Sequence, residues 1–335
     1  MQPLSEHADV DAIAFAEIRA AARPVVLRRL VAEWPAVAAG RRGELAGYLA
    51  PLASAEPVPM LRAHPEQDGL LHYADDLQQP NFTRTPVTLA GFLAVLGAEA
   101  AKPQPDTLAV QGLAAASVLP GFSDSHAMPL LPDDVTPRVW IGSAAKVATH
   151  NDPLENIACV VAGRRRFTLF PPEQVANLYM GPFHVTPAGT PVSMVHVTQP
   201  DLDRFPRFAQ ALNAAETAEL EPGDAIYIPY GWYHHVEALS SINMLVNYWW
   251  NPARPDLGSP WDALLHGMMS LRQLPPEQRR AWRAMFDHYV FLTDGDPAGH
   301  LPPEVRGVLA ASAPSELMQM RRGLIEALQR AMPRR

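Results

Sequence analysis

Two short stretches of the chain carry side chains that can bind a metal ion. His150 and Asp152 form a His-x-Asp pattern, and His234 lies far downstream within residues 231–236. Residues i and i+2 of a strand point to the same side, so His150 and Asp152 can share one ion while Asn151 faces away. Two histidines and one carboxylate cap one face of an ion and leave positions open, which suits non-haem Fe(II). The pattern predicts a metal site of His150, Asp152 and His234.

The downstream stretch offers two histidines in tandem, His234 and His235. Neighbouring residues of a strand point in opposite directions, so only one of the two can face the ion. The other histidines, which include His72, His126 and His196, have no matching partner at ligand spacing. We therefore expect them to be surface or structural residues.

The middle of the chain contains the strands that would position these ligands. From about residue 106, short apolar runs alternate with Pro, Gly and Asp, which is typical of strands and turns. The predicted strands are Thr107–Val110, Arg138–Ile141, Ile157–Val161, Arg166–Phe170, Val192–Val197, Ala225–Ile228, Tyr233–Glu237 and Ile242–Tyr248. About eight such strands indicate a barrel or jelly roll. A helical insertion is predicted between 199 and 220, where apolar residues recur at helical spacing.

The two flanks of this β-rich region are of other types. Residues 1–105 are predicted to be mixed α/β, with helices over 12–21 and after Thr88, which is a plausible N-cap. After Asn251 the strands stop, and Ser259 followed by Pro260 starts the first of three amphipathic helices. We expect three regions: 1–105 beside the barrel, a barrel over 106–252, and a helical region over 253–335.

Composition excludes several classes of protein. Charged residues make up 19% of the 335 residues, the net charge is −8, and no basic stripe is present, so we expect no nucleic-acid partner. No segment approaches ~20 consecutive apolar residues, so we expect no membrane span. Cys159 is the only cysteine and no signal-peptide pattern is present, which fits a reducing, cytoplasmic environment.

Two longer segments resemble a known family. Residues 150–172, which begin His-Asn-Asp-Pro-Leu-Glu-Asn, and residues 222–237, which contain Gly-Trp-Tyr-His-His-Val, are similar to the core of the JmjC-type, cupin-like oxygenases. The branch most resembled contains the asparaginyl hydroxylase that acts on hypoxia-inducible factor and the small JmjC protein hydroxylases. Residues 24–35 are also similar to that branch. The resemblance covers roughly residues 12–250.

The resemblance implies a double-stranded β-helix that uses Fe(II), O₂ and 2-oxoglutarate. It assigns the metal to His150, Asp152 and His234, with His234 and not His235 as the second histidine ligand. Asn156 and Asn247 match asparagines at the cosubstrate in the family. The resemblance further places Arg165 at the cosubstrate, with Thr149 as the nearest hydroxyl. We expect tryptophans to line the barrel mouth, with at least one of the three in the barrel core instead: Trp232, Trp249 and Trp250.

The cosubstrate pocket departs from the family pattern. Arg165 stands where the family usually has a lysine, and arginine can bind the far carboxylate of 2-oxoglutarate bidentately. Val147 occupies a position that is often Ser or Thr, and Thr149 is the nearest hydroxyl. The strand near 107–112 lacks the usual tyrosine, for which Gln111 is the candidate replacement, and Tyr233 replaces a common tryptophan.

Three functions follow from these observations. The first is a 2-oxoglutarate-dependent hydroxylase that acts on a protein side chain or a small molecule and releases succinate and CO₂. The second is a cupin-type metalloenzyme that does not use 2-oxoglutarate, and the third is a non-catalytic binding module on the same scaffold. In each case the apolar faces of the C-terminal helices predict a homodimer through residues 255–335.

Overall fold

The computed structural model describes residues 1–310 and 313–332, and most of its regular structure is β. Its strands are β1 (Gln2–Pro3), β2 (Ser5–Ala8), β3 (Val25–Arg28), β4 (Pro57–Ala63), β5 (Leu70–Leu71), β6 (Thr83–Thr88), β7 (Thr107–Ala114), β8 (Pro137–Gly142), β9 (Lys146–Asn151), β10 (Glu155–Ala162), β11 (Arg165–Phe170), β12 (Glu216–Leu220), β13 (Ala225–Ile228), β14 (Tyr233–Ala238) and β15 (Asn243–Trp250). Its α-helices are α1 (Ala12–Ala21), α2 (Pro35–Arg41), α3 (Leu45–Leu49), α4 (Leu89–Ala100), α5 (Ala115–Val118), α6 (Phe208–Ala214), α7 (Pro260–Leu271), α8 (Pro276–Tyr289) and α9 (Pro314–Ala331).

Strands β8 to β15 form the antiparallel cores of two sheets, which have six and nine strands in all. The core order is β12-β11-β14-β9 in the minor sheet, which β1 and β5 extend at its two edges, and β13-β10-β15-β8 in the major sheet. The chain changes sheet at most turns, as it does in a jelly roll. This arrangement confirms the predicted fold class, a mainly β jelly-roll core with flanking helices.

Strand β10 shows why the sequence folds in this way. Its five central residues are apolar and fully or almost fully buried. Ala158 and Val160 belong to the core between the two sheets, whereas Ile157, Cys159 and Val161 belong to the core shared with the N-terminal helices. Because side chains alternate along a strand, a continuous apolar run is needed wherever both faces of the sheet are covered.

The N-terminal region extends and covers the major sheet. Strands β3 and β2 continue that sheet beyond β13, and β7, β4 and β6 continue it beyond β8. Helix α1 is capped by Asp11, whose carboxylate accepts from two backbone N–H groups, and Thr88 caps α4 as predicted. Phe15 of α1 packs edge-on against Tyr227 of β13, with ring centroids 5.4 Å apart. These contacts fix the outer face of the major sheet.

Most predicted strands are present, but the strand predicted over Val192–Val197 is wrong. The segment forms only an isolated bridge between Ser193 and Met180. The Ser193 hydroxyl donates to the carbonyl of Leu178 at 2.5 Å and accepts from the Val195 N–H at 3.0 Å. These local side-chain bonds take the place of a strand ladder.

The predicted helical insertion over 199–220 is only partly correct. Helix α6 spans Phe208–Ala214, and the chain then forms strand β12, which pairs with β11. Ala215, which the helical pattern included, is extended and fully buried. Pairing with the free edge of β11 therefore outweighs the continuation of the helical pattern.

The chain divides into two units, Met1–Asn251 and Pro252–Arg335. The first unit contains both sheets, and a boundary near residue 105 stays a prediction. In the second unit Ser259 caps α7 as predicted, and the helix ends at Leu271. Among the described helices, none combines the length and apolarity needed to cross a membrane.

Candidate metal centre

The structure brings His150, Asp152 and His234 together. One ligand atom of each residue lies within 4.8 Å of the others. His234 Nε2 is 3.7 Å from Asp152 Oδ2, and the two imidazole centroids are 4.3 Å apart. This spacing lets all three side chains contact one ion, which makes a face of two nitrogens and one oxygen.

The three ligands come from the mouth-side ends of two paired strands. His150 on β9 pairs directly with His234 on β14, and Asp152 follows the end of β9. The register of this pair then shifts, so that His235 opposes both Ala148 and Thr149. Such a bulge re-aims side chains beside it, a common feature next to active sites.

Backbone carbonyls orient both imidazole rings. Nδ1 of His150 lies 2.8 Å from the Ala148 carbonyl oxygen, and Nδ1 of His234 lies 3.2 Å from that of Trp232. A carbonyl oxygen can only accept, so each Nδ1 carries the proton and donates it. Nε2 of each ring is then free of a proton and has a lone pair for a metal.

The protonation state of His234 also suits a ligand. Burial, together with the neighbouring His150, lowers the pKa of His234 to about 4, against an opposing effect of Asp152. The imidazole is therefore neutral at pH 7, the form that binds a metal ion.

A cavity of about 50 Å³ adjoins the three ligands. Asn156 and Asn247 lie in its wall, and the Asn247 amide donates to Asn156 Oδ1 at 2.7 Å. The Asn247 Oδ1 atom is buried and has no hydrogen-bond partner among the described residues. Because buried polar atoms are nearly always satisfied, this oxygen calls for a donor that the protein does not supply, either an ordered water or a polar ligand.

Among the residues that the structure describes, Arg165 is the only cation in the wall of this cavity. Its side chain is buried, its Nε has no hydrogen-bond partner, and no described residue forms an ion pair with it. Burial lowers the pKa of Arg165 to about 10, so the guanidinium is still charged at pH 7. A buried charge without a partner is costly, and an anionic ligand would remove that cost.

Several residues assigned to the site by resemblance lie elsewhere. Thr149 is fully buried but does not line the cavity. Gln111 does not line it either. Trp232 belongs to the barrel core, and Trp250 packs beside Phe15 and Tyr227. Of the three tryptophans predicted at the mouth, only Trp249 lines the cavity.

Trp140 is among the cavity residues that sequence reasoning missed. Trp140 of β8 lines the cavity together with Val147 and Phe167. Its neighbours Val139 and Ile141 lie in the core on the other face of the major sheet. The alternation of β8 therefore carried the signal, since Trp140 is the large residue of that strand that faces the barrel interior.

The jelly roll with its His-Asp-His face defines a class, the JmjC-type cupin-like proteins. A family model described as a cupin-like domain matches residues 11–255, and the chain belongs to this family. Enzymes of the JmjC type use Fe(II) and 2-oxoglutarate. The residues present fit these groups, because two free Nε2 atoms and a carboxylate face one point and an unpaired cation lies in the same cavity.

Known proteins match part of the chain. Lysine-specific demethylase JMJ31 of Arabidopsis thaliana is 37% identical over 112 residues, which cover 33% of this chain and 20% of that protein. HSPB1-associated protein 1 of Homo sapiens is 33% identical over 149 residues, 43% of this chain and 30% of that protein. The X-ray structure of E. coli ycfD aligns with 98% of this chain and 70% of its own, at 18% identity and a TM-score of 0.44. The chain thus matches less than a third of the length of the two curated relatives.

Proposed function

We propose that this protein is an Fe(II)- and 2-oxoglutarate-dependent oxygenase that hydroxylates a C–H bond of a protein side chain or a small molecule. The observation that carries the proposal is the unpaired, buried Arg165 in the same cavity as the His-Asp-His face. A metal face alone would suit many cupin enzymes. A buried cation beside it calls for an anionic cosubstrate as well.

Each residue of the site has a distinct part in this proposal. His150, Asp152 and His234 hold Fe(II) on one face, and the carbonyls of Ala148 and Trp232 keep the two rings oriented. When bound, Fe(II) and 2-oxoglutarate supply the oxidation of the substrate C–H bond by O₂, with succinate and CO₂ as co-products.

The rest of the cavity wall binds 2-oxoglutarate and excludes water. Arg165 binds the far carboxylate of 2-oxoglutarate. The Asn156–Asn247 amide pair contacts the 2-oxo acid end of the same molecule. Apolar side chains line the space between these groups and exclude water from it: Val147, Phe167, Ile228, Val236 and Leu245. A preorganised, dry cavity holds a reactant in one orientation.

The substrate is proposed only by class. One relative is named a lysine-specific demethylase, and an N-methyl carbon is one C–H target that the same oxidation can reach. The altered cosubstrate pocket, with Val147 in place of a hydroxyl residue, favours as a second candidate a cupin metalloenzyme that does not use 2-oxoglutarate.

Succinate release tests the proposal and separates the two candidates. The wild-type protein should convert 2-oxoglutarate to succinate, slowly even without substrate, only when Fe(II) is also present. His150→Ala and Asp152→Ala should abolish this conversion, whereas His64→Ala, a change at an exposed histidine, should leave it intact. Metal binding without any use of 2-oxoglutarate would select the second candidate.

A further inference from the structure

A second cavity, the outer cavity, lies on the side of strand β14 that faces away from the metal ligands, and its volume is about 210 Å³. His235, the strand neighbour of the metal ligand His234, lines it together with Ala148. Residues 66–68 and 195–199 form most of its other walls. The outer cavity shares no lining residue with the metal cavity, so a ligand bound here would leave the metal site free.

The His235 imidazole brings an unsatisfied acceptor into this wall. Its side chain is 3% exposed, and Nε2 has no hydrogen-bond partner among the described residues. The ring also forms a hydrogen bond with the backbone of Val147, and this bond raises the pKa of the imidazole. A bond that favours the protonated ring is one in which the ring donates to the carbonyl oxygen. Since the other nitrogen donates, Nε2 of the neutral ring carries a lone pair and needs a donor.

A carboxylate oxygen faces the same nitrogen. Glu237 Oε1 lies 3.7 Å from His235 Nε2, and the Glu237 side chain is also largely buried. The two residues point to the same side of β14, because they are two positions apart on a strand. A lone pair and a carboxylate oxygen repel each other unless a donor lies between them. The separation lets one donor atom approach both within hydrogen-bond distance.

The neighbouring charges do not supply that donor. Lys146 lines the outer cavity, but its ammonium group pairs with Asp68 at 2.6 Å. Arg166 approaches Glu237 at its other oxygen, Oε2, at 3.6 Å. Glu66 adds an exposed carboxylate to the cavity wall. The site therefore favours a ligand that is positively charged and can donate hydrogen bonds.

We propose that the outer cavity binds a small primary amine, whose ammonium group donates hydrogen bonds to His235 Nε2 and Glu237 Oε1. Leu70, Val195 and Val197 line the same cavity and offer apolar contacts to a short aliphatic chain. The volume is below that of sites for drug-sized ligands, which limits the chain to a few carbons. The inference goes beyond the proposed function and stands independently of it, because neither metal nor 2-oxoglutarate takes part.

A metal ion suits this place less well than an ammonium group. Among the described residues, the one set of three or more ligands that can meet at a single ion is His150, Asp152 and His234. His235 and Glu237 thus lack a third protein ligand, whereas metal sites in proteins usually have three or four. An ammonium group needs only acceptors, and both acceptors are already in position.

Three probes of the same chain length test the proposal on the wild-type, full-length protein. Butylamine has a charge and N–H donors, butyltrimethylammonium has a charge without donors, and butanol has a donor without a charge. Binding is followed through the imidazole nitrogen resonances in NMR spectra. Butylamine should move the resonance of His235 Nε2, and the other two probes should bind at least about 10-fold more weakly.

Substitutions separate the two acceptors. Glu237→Gln removes the charge and keeps the shape, so it should lower the affinity for butylamine by about 10- to 100-fold, the effect of losing a hydrogen bond to a charged group. Glu173→Gln, at an exposed carboxylate outside the cavity, is the matched control and should bind butylamine as the wild type does. His235→Gln keeps an acceptor near the position of Nε2 and should retain binding, whereas His235→Leu should lose it.

The measurements on the wild-type protein decide the matter if a substitution at His235 prevents folding. A His235 resonance that butylamine does not move would show that ordered water alone satisfies the two acceptors, and it would overturn the proposal. Equal affinities for butylamine and butyltrimethylammonium would overturn it as well, since charge without hydrogen bonding would then suffice. Neither result bears on the oxygenase proposal, which succinate release tests separately.

Discussion

The metal face depends on hydrogen bonds that single residues make to the backbone. Each histidine donates from Nδ1 to a carbonyl two residues earlier in the chain, Ala148 for His150 and Trp232 for His234. The tautomer of each ring is thus set by the strand itself and not by another side chain. An imidazole held in this way presents Nε2 to the ion before any metal binds.

Asp152 supplies the only carboxylate of the face. Asp152→Asn keeps the shape of the side chain but removes the charge, so we expect affinity for Mn(II) to fall by more than about 100-fold, beyond the loss seen for outer-shell changes. Calorimetric titration measures this loss. Asp134→Asn, at an exposed position, is the matched control and should bind Mn(II) as the wild type does. Equal affinity in both variants would place the metal elsewhere.

The buried charge of Arg165 should lower the stability of the ligand-free protein and should bind 2-oxoglutarate. Arg165→Met replaces a buried, unpaired cation by an apolar chain of similar length, so we expect the ligand-free protein to gain about 1–3 kcal/mol in free energy of unfolding. The same variant should lose 2-oxoglutarate binding. Urea denaturation and calorimetry measure the two effects.

The control for this exchange is Arg29→Met, which removes an exposed partner of the exposed Asp9. It should lose at most about 1 kcal/mol and keep 2-oxoglutarate binding. If Arg165→Met were destabilised as much as a paired buried charge, the guanidinium would have a partner in the protein and no need of a ligand.

At the scale of elements, periodicity predicted the strands and their faces but not the bulge between them. Alternation along β9 places Val147 on the face opposite to His150, three residues away, yet both line the cavity. The extra residue opposite His235 makes this possible. The position of a bulge depends on the pairing with the partner strand, so no local sequence pattern predicts it. Trp140 is a different case, because the regular alternation of β8 did point it at the barrel interior and sequence reasoning overlooked it.

The ligand set was predictable because it is local in β9 and β14, where His-x-Asp and one histidine of a tandem can be read directly. The cavity wall was not, because its residues come from several strands whose register is a tertiary property. The error at Val192–Val197 has the same origin. Its apolar residues are buried in side clusters beside the barrel and not in a sheet.

Helix α1 is joined to the start of β10 by a partly buried ion pair. Arg19 donates to Glu155 through two nitrogens, at 2.8 and 3.0 Å, and Tyr227 donates to the same carboxylate at 3.0 Å. Glu155 precedes Asn156 and follows the turn that carries Asp152. The pair therefore secures the major-sheet side of the candidate site to the N-terminal region.

Arg19→Met should cost about 2 kcal/mol in free energy of unfolding, because it leaves the buried Glu155 carboxylate without a cation. This figure is reduced from that of a fully buried pair because Arg19 is 35% exposed. Arg42→Met, which breaks the exposed pair with Glu44, should change stability by at most about 1 kcal/mol. Equal losses on chemical denaturation would show that the Arg19 pair contributes no more than a surface pair.

At the scale of the molecule, the helical unit has an exposed apolar surface that a partner chain would cover. None of the residues of α7, α8 or α9 that the structure describes is buried. Large apolar side chains are exposed on all three helices: Leu264, Leu265, Met269, Trp282, Met285, Leu324, Ile325 and Leu328. Exposed apolar surface of this extent usually marks an interface. We propose that a second copy of this unit covers it in a homodimer.

Leu324→Glu with Leu328→Glu should convert the dimer to a monomer, because two charges would be buried in the apolar interface. Light scattering coupled to gel filtration gives the mass. Gln319→Glu, on an exposed part of the same helix, adds a charge without removing an apolar residue and should remain dimeric. A wild-type protein that is monomeric at every concentration would contradict the proposal.

A crystal structure of the protein with Mn(II) and 2-oxoglutarate tests the central claim most directly. We predict one ion bound by His150 Nε2, an Asp152 carboxylate oxygen and His234 Nε2, with the 2-oxo acid end of the cosubstrate on the ion and its far carboxylate on Arg165. An ion at another set of residues, or a cavity that excludes 2-oxoglutarate while Mn(II) is bound, would contradict the claim.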